Sequence, residues 1–428
     1  MVTFICILYF IILTYIGFRL LYKPATQFRV PFSKTEYMLC NGQESLLIFI
    51  FWTGLIGLMP VLSIRLGVLE LLCILGIMKA TDKVIWSLPL KLYFIFLVWV
   101  TIGCFYTPSV SFGIRMFLKY LYPFLIALFA SCVVKNSEIA FKGMLGDRIT
   151  ATVVLLSIFI PGIGFLFQSM FWNRAALTTH FITLCMFSLS VYFLGFQKKK
   201  NLLWAIIFAL PCFLWAFRTG ILGLAIGLAA FFFVKFRLKA IPYIAVIAVL
   251  ALCSVFYIPK IKQKMFFNPD KVTMVDYLTG NVDENNFNTS GRNEMWEKVT
   301  PFYENSKVIG SGTGRVQKYF YTEIIGFGRG GQLHNDFLLM LCDNGLIGLI
   351  LYLLSYLGVL FHCTWMYKKT NNPDLKALSL TAGAALCGVL ITLYSDNSVS
   401  YSMCTLSYPW GLYGMVLGLK KVEDETIY

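Results

Sequence analysis

Apolar residues in this chain come in long runs, and the runs set its architecture. A bilayer core takes roughly 20 apolar residues per helix. Runs of this kind fall near 2–22, 46–64, 66–80, 88–106, 116–134, 149–168, 178–196, 202–217, 220–235, 240–258, 338–367, 377–395 and 402–419. They predict an all-α, polytopic membrane helix bundle of about 12–13 transmembrane helices, with 2–22 as an added anchor ahead of the rest. One long polar stretch separates the last three runs from the others. The expected organisation is therefore an N-terminal transmembrane part (1–258), a loop domain (259–337) and a C-terminal transmembrane part with a short tail (338–428).

Composition agrees with the runs. The chain is 58% apolar and 13% charged, against roughly 45–50% and 25% for soluble domains. A water-soluble enzyme, a disordered chain and a fibrous chain are all excluded. Aromatic residues make up 17%, which suits lipid-facing surfaces and interfacial belts. Most of the 12 cysteines lie inside apolar runs, no CxxC pair occurs, and 259–333 holds none. Neither a metal site nor a disulfide framework is expected. The N-terminus lacks the basic start of a cleavable signal, since Arg19 is the first cation.

Charge then assigns sides. The formal net charge is +15, which in a membrane chain reports topology rather than nucleic-acid binding. Lys198, Lys199 and Lys200, then Lys235 and Lys239, Lys368 and Lys369, and Lys420 and Lys421 fall on one face. That face is expected to be cytoplasmic, which places 259–333 outside. The outer loops favour arginine: Arg65, Arg115, Arg174, Arg218, Arg292, Arg315 and Arg329. A guanidinium keeps its proton and grips phosphate through two parallel donors, so an outward arginine set suits a buried diphosphate. Ordinary interfacial arginines are the alternative.

His334 is the sharpest single candidate. It lies in GRGGQLHNDFLLMLCDNGLIG, where glycines 328, 330 and 331 permit a tight turn and Asn335 and Asp336 can cap the helix that follows. A histidine at the outer mouth of a helix can transfer protons near neutral pH; a structural histidine bonded across a loop is the other reading. His180 and His362 are weaker, and His362 sits at the wrong end of its helix. Arg218, in FRTGILG, opens an apolar helix where a charge is costly, which marks a functional residue or one snorkelling to the interface. Arg115 and Lys119 share a helix face. Glu70 lies near Arg65 and is placed to neutralise it. The glycine-rich VIGSGTGR (308–315) resembles a phosphate cradle but lacks the Lys-Ser/Thr of a nucleotide site. No DxD, HExxH or paired-carboxylate motif appears in the outer segments.

These elements together resemble the O-antigen ligase and polymerase superfamily of bacterial surface-polysaccharide assembly. The matching residues are Gly291, Arg292 and Trp296, the glycines Gly310, Gly312 and Gly314, His334 with Asn335, and Asn344-Gly345-Leu346-Ile347-Gly348, with Arg218-Thr219-Gly220 earlier in the chain. The resemblance spans roughly 46–420. It implies metal-independent glycosyl transfer on the periplasmic side of the bacterial inner membrane, without a cofactor. The implied donor is an undecaprenyl-diphosphate-linked glycan, and the acceptor is a glycan or lipid A-core. His334 is then the catalytic candidate, and Arg218 and Arg292 the diphosphate-binding ones. Side and charge add Arg174, Arg115 and Arg329, while Asn335, Gly310, Gly312 and Gly345 support the loop and helix start. A polymerase joining O-antigen or capsule repeat units is favoured, with a ligase as the alternative. A lipid-linked glycan transporter is a third reading, weakened because no internal repeat appears and intramembrane acids are nearly absent.

Overall fold

The computed structural model describes the chain except residues 34, 158–159, 161–163, 165–173, 324–331 and 428, and the side chain of 427. Arg329 and glycines 328, 330 and 331 fall outside the described residues, as does much of the run at 149–168. What is described is a polytopic membrane helix bundle. Its principal helices are α1 (Val2–Leu21), α2 (Gly42–Thr53), α3 (Leu62–Lys79), α4 (Leu88–Gly103), α5 (Val110–Val133), α6 (Ser137–Ser157), α7 (Arg174–Leu194), α8 (Lys198–Leu214), α9 (Arg218–Phe236) and α10 (Ile241–Tyr257). After the polar segment come α15 (Asp336–Lys369), α16 (Pro373–Thr392) and α17 (Ser407–Ile427). The polar segment holds α11 (Pro259–Met265), α12 (Met274–Leu278), α13 (Arg292–Glu304) and α14 (Arg315–Lys318).

Fewer helices than predicted cross a membrane by length and composition alone. Among the described residues seven spans qualify, one of them running through α9 and α10 together, while α4 is apolar but shorter. The difference has physical causes. With 12 residues, α2 reaches only about 18 Å at 1.5 Å per residue, well short of the roughly 30 Å hydrocarbon core. The predicted runs 46–64 and 66–80 divide at Gly54–Leu58 rather than near 65. Arg65, expected on an outer loop, is instead buried inside α3. Its Nη2 donates to Thr53 O (3.0 Å) and its Nε to Ile56 O (3.1 Å), satisfying carbonyls freed where α2 ends. Glu70 is buried in the same helix without an ion pair to Arg65. An antiparallel hairpin, β1 (Thr26–Arg29) with β2 (Tyr37–Cys40), follows α1 and was not anticipated.

The bundle closes around α17, which is buried along its first half against α5. Gly414 makes that contact possible: a Cβ there would stand 2.1 Å from Ala127 O. The pair α9 and α16 meets in the same way, with Gly223 and Gly388 facing one another's carbonyls, the small-residue packing that lets membrane helices approach. Beside α17 an aromatic core gathers Tyr93, Phe96, Tyr120, Tyr352, Tyr356 and Trp410, all fully buried. Tyr93 and Trp410 stack edge to face at 4.7 Å.

Candidate functional site

The 34 residues of α15 would span about 50 Å, and the helix breaks at Gly345, which takes φ 66° and ψ −169°. That backbone is open to glycine alone, and a Cβ there would meet Val308 O at 2.3 Å. The break brings the turn 308–316 against the first segment of α15. Ser311 and Gly312 donate backbone N–H groups to Cys342 O (2.8 Å) and Asp343 O (3.0 Å). The Asp343 carboxylate accepts from the amides of Gly314 (2.8 Å) and Val316 (2.9 Å). Gly310, Gly312 and Gly314 all have positive φ. The turn thus has the amide geometry of an anion cradle, but an internal carboxylate fills it. It anchors the polar segment and is not a phosphate site.

The end of α15 next to the polar segment holds His334. Asn335 caps the helix, its Oδ1 accepting from Leu338 N–H at 2.9 Å. Asp336 does not cap, contrary to the sequence expectation. It ties the helix start to the α16–α17 connector instead: its N–H donates to Leu393 O (2.8 Å) and its Oδ2 accepts from Val399 N–H (2.9 Å). Trp296 in α13 donates from Nε1 to Leu333 O (3.0 Å) and packs edge-on against Tyr394. The connector therefore forms a buried shelf beneath His334.

On that shelf Asn397 makes two contacts to His334. Its Oδ1 accepts the backbone N–H at 2.9 Å, and its Nδ2 lies 2.7 Å from the ring Nδ1. The first contact fixes which amide atom is which, because a reversed amide would set two donors face to face. Nδ2 therefore donates, Nδ1 accepts, and the proton of the neutral ring sits on Nε2. Asp396 Oδ1 stands 3.6 Å from the same Nδ1 and accepts the Asn397 N–H at 2.8 Å. The His334 side chain is 38% exposed and that of Asp396 only 7%. Nε2 has no hydrogen-bond partner among the described residues. His334 itself has φ 53°, a strained backbone for a residue with a Cβ, held by these contacts.

The expected arginines separate into groups. Arg218, first residue of α9, donates from Nη1 to Asn288 O (2.7 Å) and from Nη2 to Ser290 Oγ (3.1 Å). Arg292 opens α13 and lies within electrostatic reach of both Arg218 and Asp396. Burial holds its guanidinium below the ordinary arginine range, with Asp396 pulling the other way. Lys264, which sequence reasoning missed, joins them. Burial lowers its ammonium, and the charges of Arg218 and Arg174 lower it further. The charges of Arg218, Arg292, Arg174 and Lys264 thus reach one another, and that of Arg292 reaches Asp396 on the His334 shelf. Arg315 is spent elsewhere, paired with Glu323 (2.9 Å) and stacked on Phe302.

Arg115 belongs to a second place. With Lys119 it lines a cavity of about 310 Å³, closed on another side by Gln332, Ser400 and Tyr401, near neighbours of His334 and Asn397 in the chain. Gln317 also lines it, and its buried Oε1 has no hydrogen-bond partner among the described residues. A buried amide oxygen without a partner and two cationic residues thus give this cavity a polar lining. Gln317, Asp396 and Asn397 went unremarked in the sequence. The one available signal for the last two was the polar run Ser395–Ser398 between apolar helices.

The other two histidines are structural. His180 is fully buried between Asp147 Oδ1 (3.0 Å) and Cys404 O (2.9 Å), and His362 Nδ1 meets the Tyr413 hydroxyl at 2.7 Å. No group of three or more metal-ligating side chains is found among the described residues.

Comparison with known proteins adds one match. Residues 203–353 fit the family model described as O-antigen ligase, a stretch that contains Arg218, Arg292, His334 and Gly345 and supports the superfamily read from the motifs. No curated protein sequence matches the chain.

Proposed function

We propose that this chain, which carries an O-antigen ligase family domain over residues 203–353, joins undecaprenyl-diphosphate-linked glycan units on the periplasmic side of the bacterial inner membrane. The observation that carries the reading is Arg292, within electrostatic reach of Arg218 and of Asp396, the carboxylate 3.6 Å from His334 Nδ1. The donor's diphosphate is the leaving group. Arg218, Arg292, Arg174 and Lys264 would hold it and stabilise the charge that grows as the glycosidic bond breaks. The acceptor hydroxyl oxygen forms the new bond to the anomeric carbon as the anomeric carbon–oxygen bond to the diphosphate breaks, the bonding pair leaves on the diphosphate, and the hydroxyl proton passes to water.

His334 is the group at this centre, and its resting tautomer shapes what it does. With Nδ1 accepting from Asn397, Nε2–H is a hydrogen-bond donor, suited to an oxygen of the departing diphosphate. Acting as base toward the acceptor requires the other tautomer, with Nδ1–H turned to Asp396. We favour the donor role because it needs no rearrangement. The Arg115–Lys119 cavity supports a second phosphorylated lipid beside the first, which is why polymerase is preferred. The phosphates of lipid A-core would suit the same cavity, so ligation is the second reading.

The test is the size-separated surface polysaccharide of cells with and without the gene. Single repeat units on lipid A-core in its absence mean polymerisation. Long chains left on the lipid carrier mean ligation. An unchanged ladder removes both readings.

A further inference from the structure

At the other, lysine-rich end of the bundle, Arg148 of α6 is 7% exposed and lacks a carboxylate partner among the described residues. Its Nη1 donates to Asn201 Oδ1 at 2.7 Å, and its guanidinium lies over the Trp204 ring at 5.2 Å. Asn201 Nδ2 donates to Phe196 O (2.8 Å), which keeps the amide oxygen turned to the arginine. The adjacent Asp147 bonds His180 instead, so it does not neutralise Arg148. A buried charge with neutral partners only is costly and is relieved by an anion.

Arg148 lines a cavity of about 410 Å³ between α6 and α8. Lys200 and Gln197 supply further polar groups, while Ile149 and Val153 make an apolar side that is more than half exposed. The cavity is thus amphiphilic, and it lies beside Lys198–Lys200 at the start of α8, where the positive-inside rule expects the anionic leaflet. A free phosphate would satisfy the guanidinium and leave the apolar side wet. We propose that this cavity binds an anionic phospholipid, its headgroup phosphate on Arg148 and Lys200 and an acyl chain along Ile149 and Val153. The proposal does not rest on the glycosyl-transfer reading.

The test uses the full chain, purified in a neutral detergent. Phosphatidylglycerol, phosphatidylcholine or inorganic phosphate is added, and bound lipid is counted by native mass spectrometry alongside the melting temperature. Phosphatidylglycerol is expected to bind at least tenfold tighter than phosphatidylcholine and to raise the melting temperature. Arg148→Gln should abolish the preference, and Lys200→Gln, at the surface, should weaken it about threefold without disturbing the fold. Equal binding of the two lipids, or an intact preference in a folded Arg148→Gln chain, would overturn the proposal. Should Arg148→Gln not fold, an unchanged preference in Lys200→Gln overturns it. Stabilisation by phosphate alone equal to that by phosphatidylglycerol would assign the site to a soluble anion and reject the lipid.

Discussion

Asn397 holds His334 by both its backbone and its ring: one amide accepts the main-chain N–H at 2.9 Å and donates to Nδ1 at 2.7 Å. The two contacts are mutually constraining. The backbone fixes the amide, the amide fixes the tautomer, and the tautomer makes Nε2 a donor.

Asn397→Asp reverses that choice. A carboxylate in the same place would attract Nδ1–H and leave Nε2 as a lone-pair base. If His334 works as a donor, turnover should fall at least tenfold in the variant while the chain stays folded. A base role predicts equal or higher turnover. Single-turnover rates with a lipid-linked donor decide between them.

The cationic group gives a test of geometry against charge. Arg218→Lys and Arg292→Lys keep the charge but lose the planar fork. Each should raise the KM for the lipid diphosphate by about tenfold, equivalent to roughly 1.4 kcal/mol of binding. Arg315→Lys, already paired with Glu323, should change KM little.

Lys264 sets an alkaline limit. Its ammonium is held below the ordinary lysine range by burial, then by Arg218 and Arg174. A lowered pKa means that the charge is lost earlier as pH rises, so donor affinity should fall on the alkaline side. Lys264→Arg, which keeps its proton, should move that fall to higher pH. A pH profile of kcat/KM for the two chains checks the direction; coincident profiles count against Lys264 as a diphosphate contact.

Much of this arrangement was legible in the sequence. Apolar runs located most helices because a bilayer penalises every exposed polar backbone group. His334 stood out because a histidine at a helix mouth next to a capping asparagine is chemically conspicuous. Its partners did not. Asp396 and Asn397 lie more than 60 residues away in the chain, in a polar turn that reads as a connector until the fold brings it under the helix. Arg65 and Arg315 misled for the opposite reason. A guanidinium serving freed carbonyls or a nearby glutamate has the same sequence signature as one awaiting phosphate. The glycines of 310–314 likewise announced a cradle but could not show that Asp343 fills it.

Gly345→Ala tests the helix break. Both the positive φ and the 2.3 Å approach to Val308 O oppose a methyl group. A loss of at least about 2 kcal/mol of stability is expected, with the polar segment more readily cleaved by protease than in the parent chain. Unchanged protease resistance would mean that the turn 308–316 is anchored by other contacts.

His180→Ala should destabilise the fold by about 3 kcal/mol, since it leaves Asp147 buried without its partner. Any chain that folds should keep the parent KM for donor. A selective KM change would draw this pair into the site.

We place glycosyl transfer at the His334 shelf. Its most direct measurement is release of undecaprenyl diphosphate by purified parent and His334→Ala chains given an undecaprenyl-diphosphate-linked repeat unit, with matched melting temperatures showing that both are folded. Joined repeat units and released carrier are expected from the parent chain, and a loss of at least a hundredfold in the variant. Equal release from both chains would place the chemistry elsewhere in the molecule.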